Sequence, residues 1–309
     1  MQQLKNTLLL FCFLPVIPLL SQEVKVDSDD LTLFGTLLQP EEETDHAVLI
    51  ISGSGNTDRD GNTLSIGYVN DGLKKLAEAL TEQGFATLRY DKRGVGKSVA
   101  DHLQAEHLRF EQCAEDAATW ITFLRKRYKR VSVIGHSQGA LVGMVAAQQA
   151  DIDRFVSLAG LAMDAHSTIR KQLQAQPVFV KNAAFPILDS LKAGVKVDSV
   201  PPYLNSLASP SIQDYVISFM KYDPRREIAK LSIPILVIQG TTDLQIGIPE
   251  AKTLSEQTTL ATFEPIEGMN HVLRASTWDT NENMGTYANA SLPLHPEVVG
   301  VLTQFLQTE

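Results

Sequence analysis

The sequence is poor in cysteine, in basic residues and in long apolar runs, and each scarcity closes off a class of protein. Only two of its 309 residues are cysteine, too few for the disulfide framework of a small secreted scaffold. No metal-ligand spacing stands out, so no metal site is expected. Lys and Arg number 27 against 36 Asp and Glu, a formal charge of -9. That excess of acid argues against nucleic acid as a partner. The one basic block, Arg125-Lys126-Arg127-Tyr128-Lys129-Arg130, closes a helical pattern and enters a strand, where cations offset the negative end of the helix dipole. No internal repeat or low-complexity tract is present. With 44% hydrophobic and 20% charged residues, the chain is neither disordered nor fibrous, and it is long enough to bury a large core.

One apolar run stands apart, from Leu8 to Leu20. It follows Lys5, contains Pro15 and Pro18, and gives way to Ser21-Gln22-Glu23. It is too short for a comfortable membrane span and reads as the core of a secretory signal over residues 1–21. The mature protein is then expected in the periplasm or secreted, with no stable membrane insertion after cleavage. Phe11 before Cys12 argues against a lipoprotein signal. Cys12 leaves with the signal, so Cys113 stands alone and no internal disulfide forms. Cys113 falls on the stripe Phe110, Cys113, Ala114, Ala117, Ile121, Leu124, a helical spacing that makes it a small core filler.

Beyond the signal, Val24–Val26 and Leu31–Leu38 read as a hairpin joined at Asp27-Ser28-Asp29-Asp30. Short apolar runs then recur at Ala47–Ser52, Ala86–Tyr90, Val131–Gly135, Phe155–Ala159, Ile235–Ile238 and Thr259–Pro265. Segments of helical period lie between them, at Leu73–Leu80, Phe110–Leu124 and Ala140–Gln149. Strands apolar on both faces, alternating with helices, imply an α/β fold: a mostly parallel eight-stranded sheet flanked by helices. The rhythm breaks once, over about 75 residues between Ala159 and Ile235, far more than one crossover requires. Helical patches at Thr168–Gln176, Ala183–Ala193 and Ile212–Tyr222, punctuated by Pro177, Pro186, Pro201-Pro202, Pro210 and Pro224, predict an inserted helical cap at about 161–231. The expected domain is therefore 22–309 with that insertion.

Chemistry concentrates at Val131-Ser132-Val133-Ile134-Gly135-His136-Ser137-Gln138-Gly139. A buried strand runs into G-x-S-x-G and then into a helix, the strained turn that lifts a nucleophile above a sheet. Ser137 is the expected nucleophile, and the N–H of Gln138 one oxyanion donor. Triad partners follow in the order Ser, acid, His. Asp243, just past the strand Ile235–Ile238, is the expected acid, with Asp164 as the fallback. His271 is 28 residues further on, after Glu267-Gly268-Met269-Asn270; it is the expected base. His295 precedes Pro296 and reads as a helix cap. The second oxyanion donor is placed in Gly53-Ser54-Gly55-Asn56, at the Ser54 N–H, with Gly53 and Gly55 letting backbone approach substrate. Gly94-Val95-Gly96-Lys97-Ser98 mimics the tail of a phosphate-binding loop, but Asp91 stands where that motif needs Gly, so ATP is not indicated.

These motifs resemble the α/β-hydrolase superfamily, and more narrowly bacterial serine esterases whose oxyanion loop reads GSGxxDRDGN, here Gly53-Ser54-Gly55-Asn56-Thr57-Asp58-Arg59-Asp60-Gly61-Asn62. Tyr90-Asp91-Lys92-Arg93-Gly94-Val95-Gly96-Lys97-Ser98, Gly240-Thr241-Thr242-Asp243-Leu244-Gln245 and Gly268-Met269-Asn270-His271 carry the likeness towards the C-terminus. The resemblance implies cofactor-free hydrolysis of a small-molecule carboxylic ester of small or medium acyl group. The HGGG of many lipases is absent, and with it the analogy to long-chain lipids. A peptidase or amidase of the same fold is the alternative, and a non-catalytic binding protein the third. Arg59 and Asp60 are expected to support the oxyanion loop through a local ion pair or, alternatively, to contact substrate.

Overall fold

The six apolar runs fold as strands of one sheet, five of them inside it and the last at its edge. In the computed structural model, which describes residues 20–308, β1 (Leu20–Ser28) and β2 (Leu31–Gln39) form the antiparallel N-terminal hairpin. The core strands are β3 (His46–Ile51), β4 (Ala86–Tyr90), β5 (Arg130–His136), β6 (Arg154–Leu158), β7 (Ile235–Gly240) and β8 (Ala261–Ile266). The eight strands lie in the order β1-β2-β4-β3-β5-β6-β7-β8, with every pair from β4 to β8 parallel. All six residues of β3 are buried. Ala47, Leu49 and Ile51 face one hydrophobic cluster, Val48 and Ile50 the other, which is why the run shows no polar alternation. The fold class read from the sequence is the fold observed.

Helices cover both faces. On one side α1 (Gly72–Glu82) presents Leu73, Leu76, Ala77 and Leu80 to the sheet. On the other lie α2 (Phe110–Arg125) and α3 (Gln138–Ala146), packed against each other and against the strands. Every residue of α3 is buried, as expected of a helix apolar on all sides. The segment between β6 and β7 folds as α4 (Ala165–Gln172), α5 (Val178–Lys192), α6 (Asn205–Ala208), α7 (Gln213–Phe219) and α8 (Pro224–Ile228). After β7 come α9 (Ile248–Ser255), α10 (Thr280–Gly285) and α11 (Pro296–Gln307).

Departures from the sequence reading have physical causes. Pro186 does not break the cap: α5 runs through it. The proline is exposed, so water can reach the carbonyl it leaves unbonded, while Ala184, Ile187, Leu188 and Leu191 hold the buried face. Cys113 is not simple core filler; it packs beside the core but opens on a cavity. Burial, reinforced by nearby Asp116, raises its thiol to about 11. The expected secretory signal lies outside the described residues, apart from Leu20 and Ser21, which begin β1. Among the described residues no helix is long and apolar enough to cross a membrane.

His46 shows how burial couples the fold to pH. Its Nε2 meets Ser132 Oγ at 2.8 Å, its ring packs edge-on against Phe85, and burial lowers its pKa to about 4. The unfolded chain binds a proton near 6.5 that the folded imidazole refuses, so stability is lost as pH falls from about 6.5 towards 4. The interval is worth roughly 3 kcal/mol at most. Calorimetric melts should show a Tm that declines across this window in the wild type, and a shallower decline for His46→Gln.

Candidate active site

The site starts at the β5–α3 turn. Ser137 sits at φ 54°, ψ -123°, a left-handed conformation that a non-glycine residue adopts only when its surroundings impose it. The neighbours impose it by close approach. A Cβ on Gly135 would lie 2.4 Å from Ala140 Cα, and one on Gly139 would lie 2.4 Å from Ile51 O, so neither position accepts a larger residue. The turn is tied to β6 by the Ser137 N–H, which donates to Leu158 O at 3.1 Å. Its outcome is a serine raised above the sheet at the head of a buried helix.

Distant chain supplies the partners. Asp243 follows β7 and is fully engaged: Oδ1 accepts from the N–H groups of Gln245 (2.7 Å) and Ile246 (3.0 Å). Oδ2 accepts from Gln239 Nε2 and His271 Nδ1, both at 2.8 Å. Burial alone would raise this carboxyl, but the imidazole and the two backbone donors outweigh it and hold the pKa below the usual value. With Nδ1 donating to Asp243, the His271 tautomer leaves Nε2 as a base. His271 and Ser137 line one cavity of about 750 Å³; they are not hydrogen-bonded to each other, a common state of such sites before substrate arrives. Asp164, the fallback acid, instead caps α4 by accepting from Ser167 N. His295 caps α11, accepting from Glu297 N.

Gly53, Ser54, Gly55 and Gln138 open on the same cavity. Arg59 and Asp60 do not, and they do not pair with each other. Arg59 Nη2 donates to Asp91 Oδ2 at 2.6 Å, while Asp60 receives Arg89 from β4. These two charges thus clamp the loop to the end of β4 rather than to each other. Burial would raise Asp91, but the Arg59 guanidinium and the N–H groups of Lys97 and Arg59 bring it below the usual carboxylate value. Asp91 also accepts the Lys97 N–H at 3.0 Å, within the segment that mimics a phosphate-binding loop. Arg93 likewise turns inward and pairs with Asp116 at 2.8 Å.

Several contributors carried no legible signal. His136 donates from Nε2 to His271 O at 2.8 Å and packs its ring on that of His271. Burial, helped by His271, lowers its pKa to about 4 and keeps it neutral. Asn270 accepts from Arg274 N and donates to Thr286 Oγ1, shaping the turn that carries His271. From the cap, Tyr215 Oη donates to Gln138 Oε1 at 3.0 Å. Cap residues Leu161, Ile169, Leu207, Ile212, Val216 and Phe219 wall the cavity with apolar surface. No cluster of three or more His, Cys, Asp or Glu able to hold a metal occurs among the described residues.

A family model described as serine aminopeptidase, S33, matches residues 70–224, half of the chain. The protein belongs to the serine aminopeptidase S33 family. The match includes Ser137 and stops before Asp243. Esterase EstD of Thermotoga maritima is 30% identical over 204 residues, 65% of this chain and 47% of that esterase, so the chain spans about half the length of this curated relative. Among solved structures, Est1E of Butyrivibrio proteoclasticus with bound ferulic acid superposes with a TM-score of 0.58 at 17% identity, over 92% of this chain and 96% of that one. Proline iminopeptidase of Mycobacterium smegmatis gives 0.61 at 14% identity, over 92% and 97%. At such identities the likeness concerns the fold, which is that of the α/β hydrolases in this S33 protein.

The clamp on the oxyanion loop has a measurable consequence. Asp91→Asn strands the buried Arg59 guanidinium without its carboxylate, and urea unfolding should record a loss of about 3–5 kcal/mol, the scale for half of a broken buried ion pair.

Proposed function

We propose that this protein is a serine hydrolase that cleaves carboxylic esters of small or medium acyl groups through an acyl-enzyme on Ser137. The observation carrying this reading is the pairing of a strained Ser137 with an Asp243-anchored His271 on one largely apolar cavity. His271 Nε2 takes the Ser137 proton as Oγ attacks the ester carbonyl. Asp243 holds the tautomer and balances the imidazolium. The oxyanion lodges between the N–H groups of Ser54 and Gln138, the latter at the positive end of α3. Collapse expels the alcohol, which leaves with the proton from His271, and water repeats the sequence to free the acid. The loop Gly53–Asn62, of the type seen in bacterial esterases that it resembles, supports the same assignment, and EstD is an esterase by name.

The S33 description favours a second reading, cleavage of an N-terminal amino acid. An aminopeptide brings a cationic α-amine, which needs an anionic partner once water is excluded. No Asp or Glu lies among the described residues lining the cavity, whereas Lys92, Arg93 and Arg109 do. Arg93 and Arg109 are paired with Asp116 and Asp214, so the wall offers a cation no partner of its own, and an uncharged ester is the better fit.

Two experiments test these statements. A series of p-nitrophenyl esters of increasing acyl length, run beside aminoacyl anilides, should show ester turnover dominating. Ser137→Ala should lose on the order of 10⁶ in kcat, the scale of nucleophile removal in a triad. Turnover of anilides but not esters would replace the proposal with the aminopeptidase. We also propose export to the periplasm or medium, resting on the Leu8–Leu20 run. N-terminal sequencing of secreted protein should then begin near Gln22, and a retained Met1 would contradict it.

A further inference from the structure

Lys92 performs no step in the mechanism above, yet it touches the part of the site least able to hold its own shape. It follows the β4 residue Tyr90 by two positions, and its Nζ donates to Gly53 O and, at 2.9 Å, to Gly55 O. These two carbonyls bracket Ser54. In a planar trans peptide the carbonyl of one residue and the N–H of the next point in opposite directions. Drawing Gly53 O towards Lys92 therefore turns the Ser54 N–H to the opposite side. The loop has glycine on both sides of Ser54, so its own backbone opposes a peptide flip weakly. Ser54 is solvent-exposed, and Gly53 sits close enough to the nucleophile that a Cβ on it would be 3.2 Å from Ser137 Cβ.

We propose that Lys92 is the positioning residue of the oxyanion hole, a latch that fixes the 53–54 peptide so that the Ser54 N–H faces the developing oxyanion. The inference rests on the serine-hydrolase reading and on Ser54 as a donor. It gives the latch a second effect, because the ammonium has no salt-bridge partner among the described residues and its charge reaches the oxyanion through the peptide it holds. The ionisable groups around it are Asp58 of the oxyanion loop, Cys113 and Asp116 of α2, Tyr90 of β4 and His136 of β5. Asp58 is not bonded to Lys92; it accepts instead from the N–H groups of Asp60 and Asn62. Asp116 is paired with Arg93. His136 is neutral with its pKa near 4, and the Cys113 thiol is protonated below about 11. Burial then lowers Lys92 to about 8, so the latch keeps its full charge only below that pH.

Lys92→Met and Lys92→Arg, assayed on a p-nitrophenyl ester from about pH 6 to pH 10 alongside thermal melts, decide the matter. The methionine variant should lose about 10²–10³ in kcat, the scale for one oxyanion donor, with KM changed by only about threefold. Wild-type kcat should fall as pH rises through about 8, and this limb should vanish in Lys92→Met and in Lys92→Arg, whose guanidinium stays charged. Arginine should restore most of the turnover. A methionine variant that keeps kcat within about threefold and retains the limb overturns the proposal. Should Lys92→Met fail to fold, Lys92→Arg decides alone: a persisting limb near 8 overturns the latch. Failure of the underlying reading is separate and visible in the wild type, as no labelling of Ser137 by a fluorophosphonate.

Discussion

Everything at the site hangs on the strained backbone of Ser137. A side chain held at positive φ between a strand and a helix survives only because β5, α3 and β6 are packed too tightly to let the turn relax. Gly135 and Gly139 record that tightness, since each is pressed against backbone that leaves no room for a methyl group. The wholly buried helix α3 supplies the burial that offsets the strain. The sheet thus acts as a rigid base, and the remaining residues of the site arrive from loops at the C-terminal ends of its parallel strands, where ligands meet such sheets.

Electrostatics divide the site into two zones. Behind His271 the carboxylate of Asp243 is saturated with donors and stays ionised despite burial. Within the cavity the lining carries cations but no carboxylate among the described residues. No carboxylate of the described residues therefore faces substrate, and the space offered to it favours an oxyanion over a cation. His136 fits this division by remaining neutral while its N–H pins the His271 carbonyl. The cap contributes apolar wall and one polar tether, from Tyr215 to Gln138.

The strands and the elbow were legible because local pattern and tertiary role coincide. β4 has the bounds its apolar run suggests, and Gly-x-Ser-x-Gly after a buried strand has few other uses. Asp243 and His271 were findable from chain order alone, and their bond at 2.8 Å joins two residues chosen for that reason. Partner choice was not legible. Arg59 and Asp60 are neighbours of opposite charge, so a local pair was the economical reading. Folding instead gives them to Asp91 and Arg89, which only the β2–β4 and β4–β3 pairings bring near. Pro186 misled for a related reason: a breaker in isolation is tolerated where its free carbonyl faces water. Lys92 carried no signal because its partners are backbone carbonyls, which sequence does not display.

The central claim is that one serine becomes acylated during turnover. Quenching the protein in acid while it hydrolyses a p-nitrophenyl ester, then digesting and sequencing by mass spectrometry, tests it directly. One added acyl group, located on Ser137, is expected. Continued turnover with the acyl group on Cys113, or on no residue at all, would contradict it.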